Sequence, residues 1–413
     1  MSKRRVVITG IGVVAPNGIG KDAFWNALVN GQNAIGPITR FDASSFSTRF
    51  GGEVKNFTPH PRIPAEHLPQ MDRAYQLGVT AALQAVEDAG MELECLDRTR
   101  GGVYMGLGIA GLDGYERDFR LLKEAGLPAV HKNWYHSWFP SACSGYISLI
   151  LGFQGSSQVV STGCSSSLDA TGMAFQSIRD GWEDFALAGG TEAPLTPVCL
   201  NSFCSMRALS TRNDDPTHAS RPFDKDRDGF ILSEGGAVVV LESLEHAKAR
   251  GAPIYAELKG YGTTSNAYHM TAPDPSAIQT ARAFRLALED AEVPNESIGL
   301  FMAHGSSTPL NETVETLAVK KAFGNHAQRM LLMSIKSMIG HTLGSAGILQ
   351  IISAALSLVH QMAPPTINYE AQDPSCDLDC VPNHAREVSL SAVLVNSAGF
   401  SGKNSAAVLA AYN

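Results

Sequence analysis

Short apolar runs alternate with longer segments of helical periodicity along the chain of 413 residues. Runs that are apolar on both faces are typical of strands buried inside a sheet, and helical segments between them supply the crossovers that parallel strands need. The pattern therefore predicts an α/β protein, with strands and helices alternating along the chain.

The apolar runs fall into two series that have the same order of elements. The first series comprises residues 5–14, 103–106, 158–163, 185–189 and 237–241, and the second comprises residues 255–260, 300–303, 331–335, 392–396 and 406–411. In each series the third run leads into an apolar helix, predicted over residues 168–178 in the first series and 347–360 in the second. The second helix is apolar nearly all round, so we expect it to be buried.

This order predicts two copies of one α/β unit, an N-terminal half of residues 1–253 and a C-terminal half of residues 254–413. The repeat rests on the order of elements rather than on residue identity. A chain of 413 residues is also longer than one ordinary core requires, which favours two domains or a duplicated fold.

Composition narrows the class of protein. Apolar residues make up 44% of the chain and charged residues 17%, which is typical of a compact globular protein, and the formal charge of −8 argues against a general nucleic-acid partner. The seven cysteines include no CxxC pair, so we expect reduced thiols in a cytoplasmic protein and no metal site. No apolar stretch is expected to span a membrane.

Cys164 is the cysteine most suited to chemistry. It follows a β-rich run and precedes a serine-rich segment, residues 165–167, whose side chains are candidate helix N-caps. A thiol at the positive end of a helix is expected to have a lowered pKa and to act as a nucleophile. A buried structural cysteine is the alternative, and it is the interpretation we favour for Cys376 and Cys380, which lie in an acidic loop.

Two histidines occupy equivalent positions in the C-terminal half. His304 and His341 each follow a predicted strand and open a polar, glycine-containing segment, which is where α/β proteins place catalytic groups. Lys336 lies in an apolar stretch just before His341, so we expect it to pair with a carboxylate, and Glu315 is the candidate.

Two apparent motifs are set aside. Residues 106–111 match GxGxxG, but no strand ending in Asp or Glu follows at the distance that a dinucleotide site needs. Residues 224–229 look like a calcium loop, but Glu234 comes one position too early for an EF-hand. We interpret the second as a charged loop that leads into Phe230.

Four segments together resemble the condensing enzymes of the thiolase superfamily, and the Cys-His-His set is similar to that of the elongating β-ketoacyl-carrier-protein synthases. The segments are STGCSS at residues 161–166, HGSSTP at 304–309, KSMIGH at 336–341 and NSAGFSG at 396–402. The resemblance implies a thiolase-like fold of α/β/α/β/α layers with two pseudo-symmetric halves.

The resemblance also implies a mechanism. Cys164 would accept an acyl group from a carrier protein, with its own N–H and that of Phe400 as the oxyanion hole, and a malonyl thioester would then lose carbon dioxide beside His304 and His341. Lys336 and Glu315 would tune the histidines. Further implied roles are a gate for Phe400, the acyl pocket for Ile109 and Phe203, and a place near the cysteine for Phe230. No resident cofactor is implied, because the 4′-phosphopantetheine arm arrives on the carrier protein.

The resemblance extends to two branches of condensing enzymes. Gly163 before the cysteine, together with residues 166–170 and 218–224, resembles the ketosynthase (alpha) subunit of bacterial type II polyketide synthases, which pairs with a chain-length-factor homologue. Residues 304–309 lean towards the homodimeric synthase of fatty-acid elongation. The segment after Phe400 departs from the glycine-rich version of both branches.

Two further expectations concern where a carrier protein docks and whether the chain is catalytic. Residues 65–70 lack the basic side chains that the fatty-acid branch carries there, which leaves Arg207 and Arg212 as weak docking candidates. A chain-length factor is expected to lack the cysteine, and a thiolase to carry a second one near the C-terminus. This chain keeps Cys164 and has no cysteine after residue 396.

Overall fold

A computed structural model describes residues 3–109, 111–130 and 133–412. Its strands, in chain order, are β1 Val6–Ala15, β2 Gly18–Ile19, β3 Gly36–Pro37, β4 Phe50–Gly51, β5 Gly101–Gly106, β6 Ser157–Val160, β7 Phe185–Glu192, β8 Gly235–Ser243, β9 Ala256–Ser265, β10 Ile298–Met302, β11 Leu331–Met333, β12 Met362–Ala363, β13 Arg386–Glu387, β14 Ala392–Gly399 and β15 Lys403–Ala410.

Helices connect most of these strands. In chain order they are α1 Lys21–Val29, α2 Arg73–Asp88, α3 Leu112–Ala125, α4 Tyr135–Trp138, α5 Ser141–Leu151, α6 Ser166–Arg179, α7 Pro197–Ser205, α8 Leu244–Ala249, α9 Ile278–Ala291, α10 Asn311–Phe323, α11 Lys336–Ile339 and α12 Ala346–His360. The alternation of strand and helix that the apolar pattern predicts is therefore confirmed.

The main sheet consists of two sets of five strands with the same internal order. From one edge to the other the order is β11-β10-β14-β15-β9-β1-β8-β7-β5-β6, and β2 adds a short hairpin to β1. In each set the three outer strands are parallel and the two inner strands antiparallel. The sets meet where Val6–Ile8 of β1 pairs with Ala256–Leu258 of β9.

Helices and half-sheets stack in five layers. The long helices α6 and α12 pack against each other and contact strands of both sets, so they form the central layer. On the outer faces, α2 covers β1, β7 and β8, whereas α9 covers β9 and β15. The predicted fold class, a duplicated α/β arrangement with two pseudo-symmetric halves, is confirmed. The division at residue 253 stays a prediction, because the sheet continues across it.

The central layer explains the most apolar segment of the sequence. The sequence is expected to contain no membrane-spanning stretch, and by length and composition this expectation is wrong: Leu343–His360 is long and apolar enough to cross a membrane, although 89% of it is buried inside the protein. Burial on all sides is what an all-round apolar helix requires. Strand ends are the least accurate part of the prediction: the expected run 158–163 ends at Val160, and the run 331–335 ends at Met333.

Candidate active site

One cavity collects the loops at the carboxyl ends of β5, β6, β10, β11 and β14. The expected residues that line it are Cys164, His304, His341, Glu315, Phe400, Phe230, Ile109 and Phe203. Because the two halves have the same strand order, their carboxyl ends face each other across the central helices. Residues from both halves therefore share one space of about 280 Å³.

Cys164 sits on a single turn between β6 and α6. Gly163 has φ of 65°, in the left-handed region that favours glycine. Ser166 donates to the carbonyl of Gly163 at 2.6 Å and accepts the N–H of Thr162 at 2.9 Å. The prediction that serines cap this helix is wrong: Ser165 makes no capping bond and donates instead to the carbonyl of Ser397, in β14, at 3.1 Å.

The sulfur of Cys164 faces one histidine and two amides. Its Sγ lies 3.1 Å from Nε2 of His341. The backbone N–H groups of Phe400 and of Cys164 itself are directed at the sulfur. One amide from each half thus approaches the sulfur. The role of this pair as an oxyanion hole stays a prediction.

The expected low pKa of the Cys164 thiol is wrong. Burial raises this pKa to about 11, and Lys336 and the two amides only partly oppose that effect. Desolvation therefore outweighs the helix end as an influence on this thiol. At neutral pH the group is a thiol, so the nucleophile must form by proton transfer during attack, and His341 is the adjacent acceptor.

His341 is held through its own backbone. Its N–H donates to the carbonyl of Ile231 at 2.7 Å, and its carbonyl accepts the N–H of Ser233 at 3.1 Å. The ring of Phe230 stands edge-on to the imidazole, with centroids 5.4 Å apart. Gly340, with φ of 72°, allows the turn that leads from α11 into this bridge.

His304 is held by two charged side chains. The carboxylate of Glu315 accepts the N–H of His304 at 2.6 Å and that of Gly305 at 2.9 Å. The ammonium of Lys336 donates to the carbonyl of His304 at 2.5 Å. Asn396 adds a bond of 2.5 Å to the same carboxylate. Glu315 thus holds the N–H side of the peptide unit between His304 and Gly305, and Lys336 holds its carbonyl side.

The expected ion pair between Lys336 and Glu315 is wrong in its geometry. Among the described residues neither group contacts the other directly, because each is bonded to the backbone of His304. They still interact through space: Glu315 opposes the burial that lowers the pKa of Lys336 to about 8. At neutral pH Lys336 is therefore a buried cation, and burial raises the pKa of Glu315.

Both imidazoles are neutral at physiological pH. Burial, and then the charge of Lys336, holds the pKa of His304 and of His341 well below the usual value. The rings stand at 83° with centroids 5.2 Å apart. Their Nδ1 atoms are buried without a hydrogen-bond partner in the part of the chain that the structure describes. No bond at Nδ1 therefore fixes either tautomer.

Glu192 is a site residue that the sequence did not reveal. It is buried at the end of β7, and its Oε2 accepts the N–H of Gly108 at 2.6 Å and that of Gly344 at 3.1 Å. Ile109 donates to the same carboxylate at 3.2 Å. Glu192 thus joins the loop after β5 to the loop that carries His341, so one carboxylate connects the two halves.

Aromatic side chains form one wall of the cavity. Phe203 lies 5.3 Å from Phe230 and 6.4 Å from Phe400, measured between ring centroids. Ile109 lines the same space. The roles given to these residues as an acyl pocket and a gate stay predictions.

The docking residues and the two apparent motifs also have defined surroundings. Arg207 is exposed, while Arg212 donates to the carbonyl of Asp226 at 2.8 Å. The carboxylate of Asp224 is occupied by the N–H groups of Asp226, Glu370 and Ala371. Residues 106–111 include Ala110, which lies outside the described residues, and the N–H of Gly108 is taken by Glu192.

Within residues 3–109, 111–130 and 133–412, no group of three or more His, Cys, Asp or Glu side chains is arranged to hold a metal ion.

Two family models match the chain: the N-terminal domain of β-ketoacyl synthases over residues 3–247 and the C-terminal domain over residues 255–370. A 3-oxoacyl-[acyl-carrier-protein] synthase 2 of a Synechocystis species is 42% identical over 98% of this chain and 97% of its own length. The ketoacyl synthase alpha subunit of the tetracenomycin polyketide synthase of Streptomyces glaucescens is 42% identical over 99% of this chain and 97% of its own length.

A solved structure extends the likeness to the fold. The ishigamide ketosynthase/chain length factor superposes with a TM-score of 0.94 at 36% identity, and each chain is covered completely. The relatives therefore include a protein named as a 3-oxoacyl-[acyl-carrier-protein] synthase and a protein named for a polyketide synthase, at equal identity.

Proposed function

Because the chain belongs to the β-ketoacyl synthase family, we propose that it is the ketosynthase subunit of a type II polyketide synthase, working in the cytoplasm. It is a condensing acyltransferase. The single observation that supports its chemistry is the convergence of Cys164, His304 and His341 on one cavity, with Sγ and Nε2 of His341 3.1 Å apart.

In the first half-reaction Cys164 becomes acylated. Nε2 of His341 takes the thiol proton as the sulfur attacks the thioester carbon of an acyl carrier, and the carbonyl electrons move to the oxygen. The N–H groups of Cys164 and Phe400 stabilise that oxyanion. Collapse breaks the bond to the carrier thiol, which leaves with the proton from His341. Burial suits this sequence, because a thiol with a pKa of about 11 forms a strong nucleophile only as it reacts.

In the second half-reaction a malonyl thioester loses carbon dioxide. The N–H groups at Nε2 of His304 and His341 donate to the thioester oxygen, so that the electrons of the breaking C–C bond are held as an enolate. The enolate carbon attacks the acyl-cysteine, the C–S bond breaks, and the sulfur of Cys164 leaves as a thiolate. The thiolate takes one proton from water, the proton that decarboxylation consumes overall, and the resting thiol is restored. His341 accepts a proton in the first half-reaction and donates a hydrogen bond in the second, which a tautomer left unfixed at Nδ1 permits.

The Cys164→Ala variant tests this division of labour. We expect it to lose acyl transfer completely while it still decarboxylates malonyl-carrier protein, because both histidines remain. The matched control is Cys204→Ala, a half-buried cysteine on α7, which should keep both activities. An acyl-enzyme still formed by Cys164→Ala, measured by intact-protein mass spectrometry, would contradict the assignment.

We place the partner subunit against the edge strand β6. This strand ends the sheet with unpaired backbone groups. The neighbouring helices expose large apolar side chains, with exposed fractions of 66% for Leu149, 46% for Phe139, 42% for Tyr135 and 43% for Tyr115. Such a surface is typical of a protein interface. The occupant that we propose is a chain-length-factor homologue, because the ishigamide ketosynthase/chain length factor has the same fold.

A homodimeric fatty-acid elongation synthase is the second candidate, since relatives of that name are equally similar. Native mass spectrometry of the chain alone and with its genomic neighbours distinguishes the two. A heterodimer that makes poly-β-keto chains from malonyl-carrier protein supports the polyketide function. An active homodimer that extends saturated acyl carriers by one unit would overturn it. A non-catalytic partner role would require inactivity under both conditions.

We further propose that the enzyme needs no resident cofactor, because the 4′-phosphopantetheine arm is supplied by the carrier protein. Arg207 and Arg212 remain the weak docking candidates on this chain. Activity that survives exhaustive dialysis against a chelator, compared with an undialysed sample, is the expected result, and a loss restored only by added metal would contradict the proposal.

A further inference from the structure

Lys403 is a cation inside the substrate cavity. It is the first residue of β15, where it pairs with Gly399 of β14 on one side and Ser265 of β9 on the other. Its side chain lines the same cavity as Cys164 and the two histidines. The turn before it is tight, because Ser401 has φ of 64° and Gly402 has φ of 72°.

The ammonium of Lys403 has no partner in the protein. It makes no ion pair or hydrogen bond with any residue that the structure describes, although it is only partly exposed. Four polar side chains that line the cavity are neutral: Asn266, Thr271, Thr308 and Asn404. The one carboxylate in this lining, Glu315, is already bonded to the N–H groups of His304 and Gly305 and to Asn396. A partly buried cation is ordinarily paired, so the missing anion is expected on the ligand.

Lys403 lies between the nucleophile and the entrance. Residues directly opposite each other in antiparallel strands point to the same face, and a side chain at Gly399 would come 3.1 Å from the backbone nitrogen of Cys164. Lys403 therefore points to the face on which Cys164 lies. Its other neighbour, Ser265, is exposed, and so are residues 267–270, which follow the half-buried cavity residue Asn266.

We propose that Lys403 binds the phosphate of the phosphopantetheine arm and so favours phosphorylated thioesters over unphosphorylated ones. This inference rests on the proposed function. A lysine ammonium is a compact point charge suited to a phosphate. The carboxylate of malonate is the poorer partner, because a cation that held it would stabilise the ground state and oppose decarboxylation.

The test compares two small thioesters with the full-length protein. Acetyl-phosphopantetheine and acetyl-pantetheine differ only in the phosphate, and acylation of Cys164 by each is followed by mass spectrometry in wild type, Lys403→Met and Lys403→Arg. We expect Lys403→Met to lower the preference for the phosphorylated thioester on the order of tenfold, through KM. Lys403→Arg should keep most of it, and Lys248→Met, an exposed lysine on α8, should change nothing.

The outcomes separate this inference from the function on which it rests. An equal loss for both thioesters in Lys403→Met would mean that the lysine only supports the fold of the turn, and no change for either would mean that it binds nothing; both overturn the inference. If wild type is acylated by neither thioester, the proposed function fails at that point. Calorimetry of phosphopantetheine with Cys164→Ala, with and without Lys403→Met, then decides the phosphate site by itself: weaker binding in the double variant supports it and equal binding overturns it.

Discussion

The two histidines, for which we propose similar chemistry, are held by supports of different kinds. His341 is fixed by backbone bonds to Ile231 and Ser233. His304 is fixed by the side chains of Glu315 and Lys336. A backbone bridge survives most substitutions, whereas a side-chain support is lost with one residue. The position of His304 is therefore the more sensitive of the two to mutation.

The dependence also has a direction. Lys336 belongs to the segment that carries His341, yet its ammonium holds His304. Ser334, in the same segment, donates to the carbonyl of Gly305 at 2.7 Å. The loop of His304 is thus held by side chains from the segment that carries His341. The bonds that hold His341 itself come from residues 231–233 of the other half. Variants can separate the two supports.

Removing either ring should have the largest effect. His304→Ala and His341→Ala are each expected to lower malonyl decarboxylation by about 10²–10⁴-fold, because each removes a donor to the enolate oxygen. Only His341→Ala should also slow the alkylation of Cys164 by iodoacetamide, since only its Nε2 lies 3.1 Å from the sulfur. Equal alkylation rates in the two variants would show that His341 influences the reactivity of Cys164 no more than His304 does.

Lys336→Met should remove part of the support of His304 and leave the backbone support of His341 in place. Loss of the bond to His304 is expected to lower decarboxylation by roughly 10²-fold, the usual effect of a small misplacement. Because the charge of Lys336 lowers the pKa of Cys164, its removal should move the pH profile of alkylation to higher pH. An unshifted profile would mean that the charge does not act on the thiol.

The pH dependence of decarboxylation by the wild-type enzyme provides a second test of the role of Lys336. Its pKa is lowered to about 8, so the ammonium is protonated below that pH and is lost as the pH rises through it. We expect decarboxylation by wild type to fall over this interval, and the same limb to be absent from Lys336→Met. A limb of equal size in both proteins would assign it to another group.

Glu315→Gln should have an intermediate effect that is confined to His304. The N–H groups of His304 and Gly305 bond to different oxygens of the Glu315 carboxylate. Glutamine has an NH2 group in place of one of these oxygens, and an NH2 group cannot accept from an N–H. We expect a loss of about 1–3 kcal/mol of unfolding free energy and a clear drop in decarboxylation, with alkylation of Cys164 close to wild type. Urea unfolding and the two activity assays measure all three. A slowed alkylation would show that the effect spreads to His341.

Ser334→Ala should have the smallest effect. It removes one neutral bond between the two loops, which is expected to lower the unfolding free energy by about 1 kcal/mol and to leave decarboxylation within a few-fold of wild type. Ser353→Ala, whose hydroxyl bonds only within α12 at 2.7 Å, is the matched control. A larger loss of activity than in Glu315→Gln would reverse the order of supports proposed here.

Much of this architecture could be predicted from the sequence. The two series of apolar runs predict the ten strands that form the main path of the sheet, because most of these strands are buried and therefore apolar along their length. Cys164, His304 and His341 were found because each lies between a predicted strand and a helix or glycine-containing segment. Their meeting in one cavity follows from the shared strand order and was not visible in any single segment.

Other features depend on contacts between residues far apart in the chain. The sequence predicts that Lys336 pairs with Glu315, but it gives no indication that both groups bond to the backbone of His304. The pKa of Cys164 was misjudged because the helix end is a local feature, whereas the burial that dominates it arises from both halves. No pattern in the sequence indicates the role of Glu192, because its partners, Gly108 and Gly344, lie 84 and 152 positions away from it in the chain.

Glu192 has a consequence for the way such an enzyme can change over evolutionary time. One oxygen holds the amides of Gly108 and Gly344 together, and Ile109 in the wall of the cavity is bonded to the same group. A substitution that reshapes the wall at Ile109 is therefore transmitted to the segment that carries His341. If Ile109 forms the acyl pocket as predicted, we expect product size and turnover to change together, so a lineage that adopts longer products would also have to compensate at the catalytic loop.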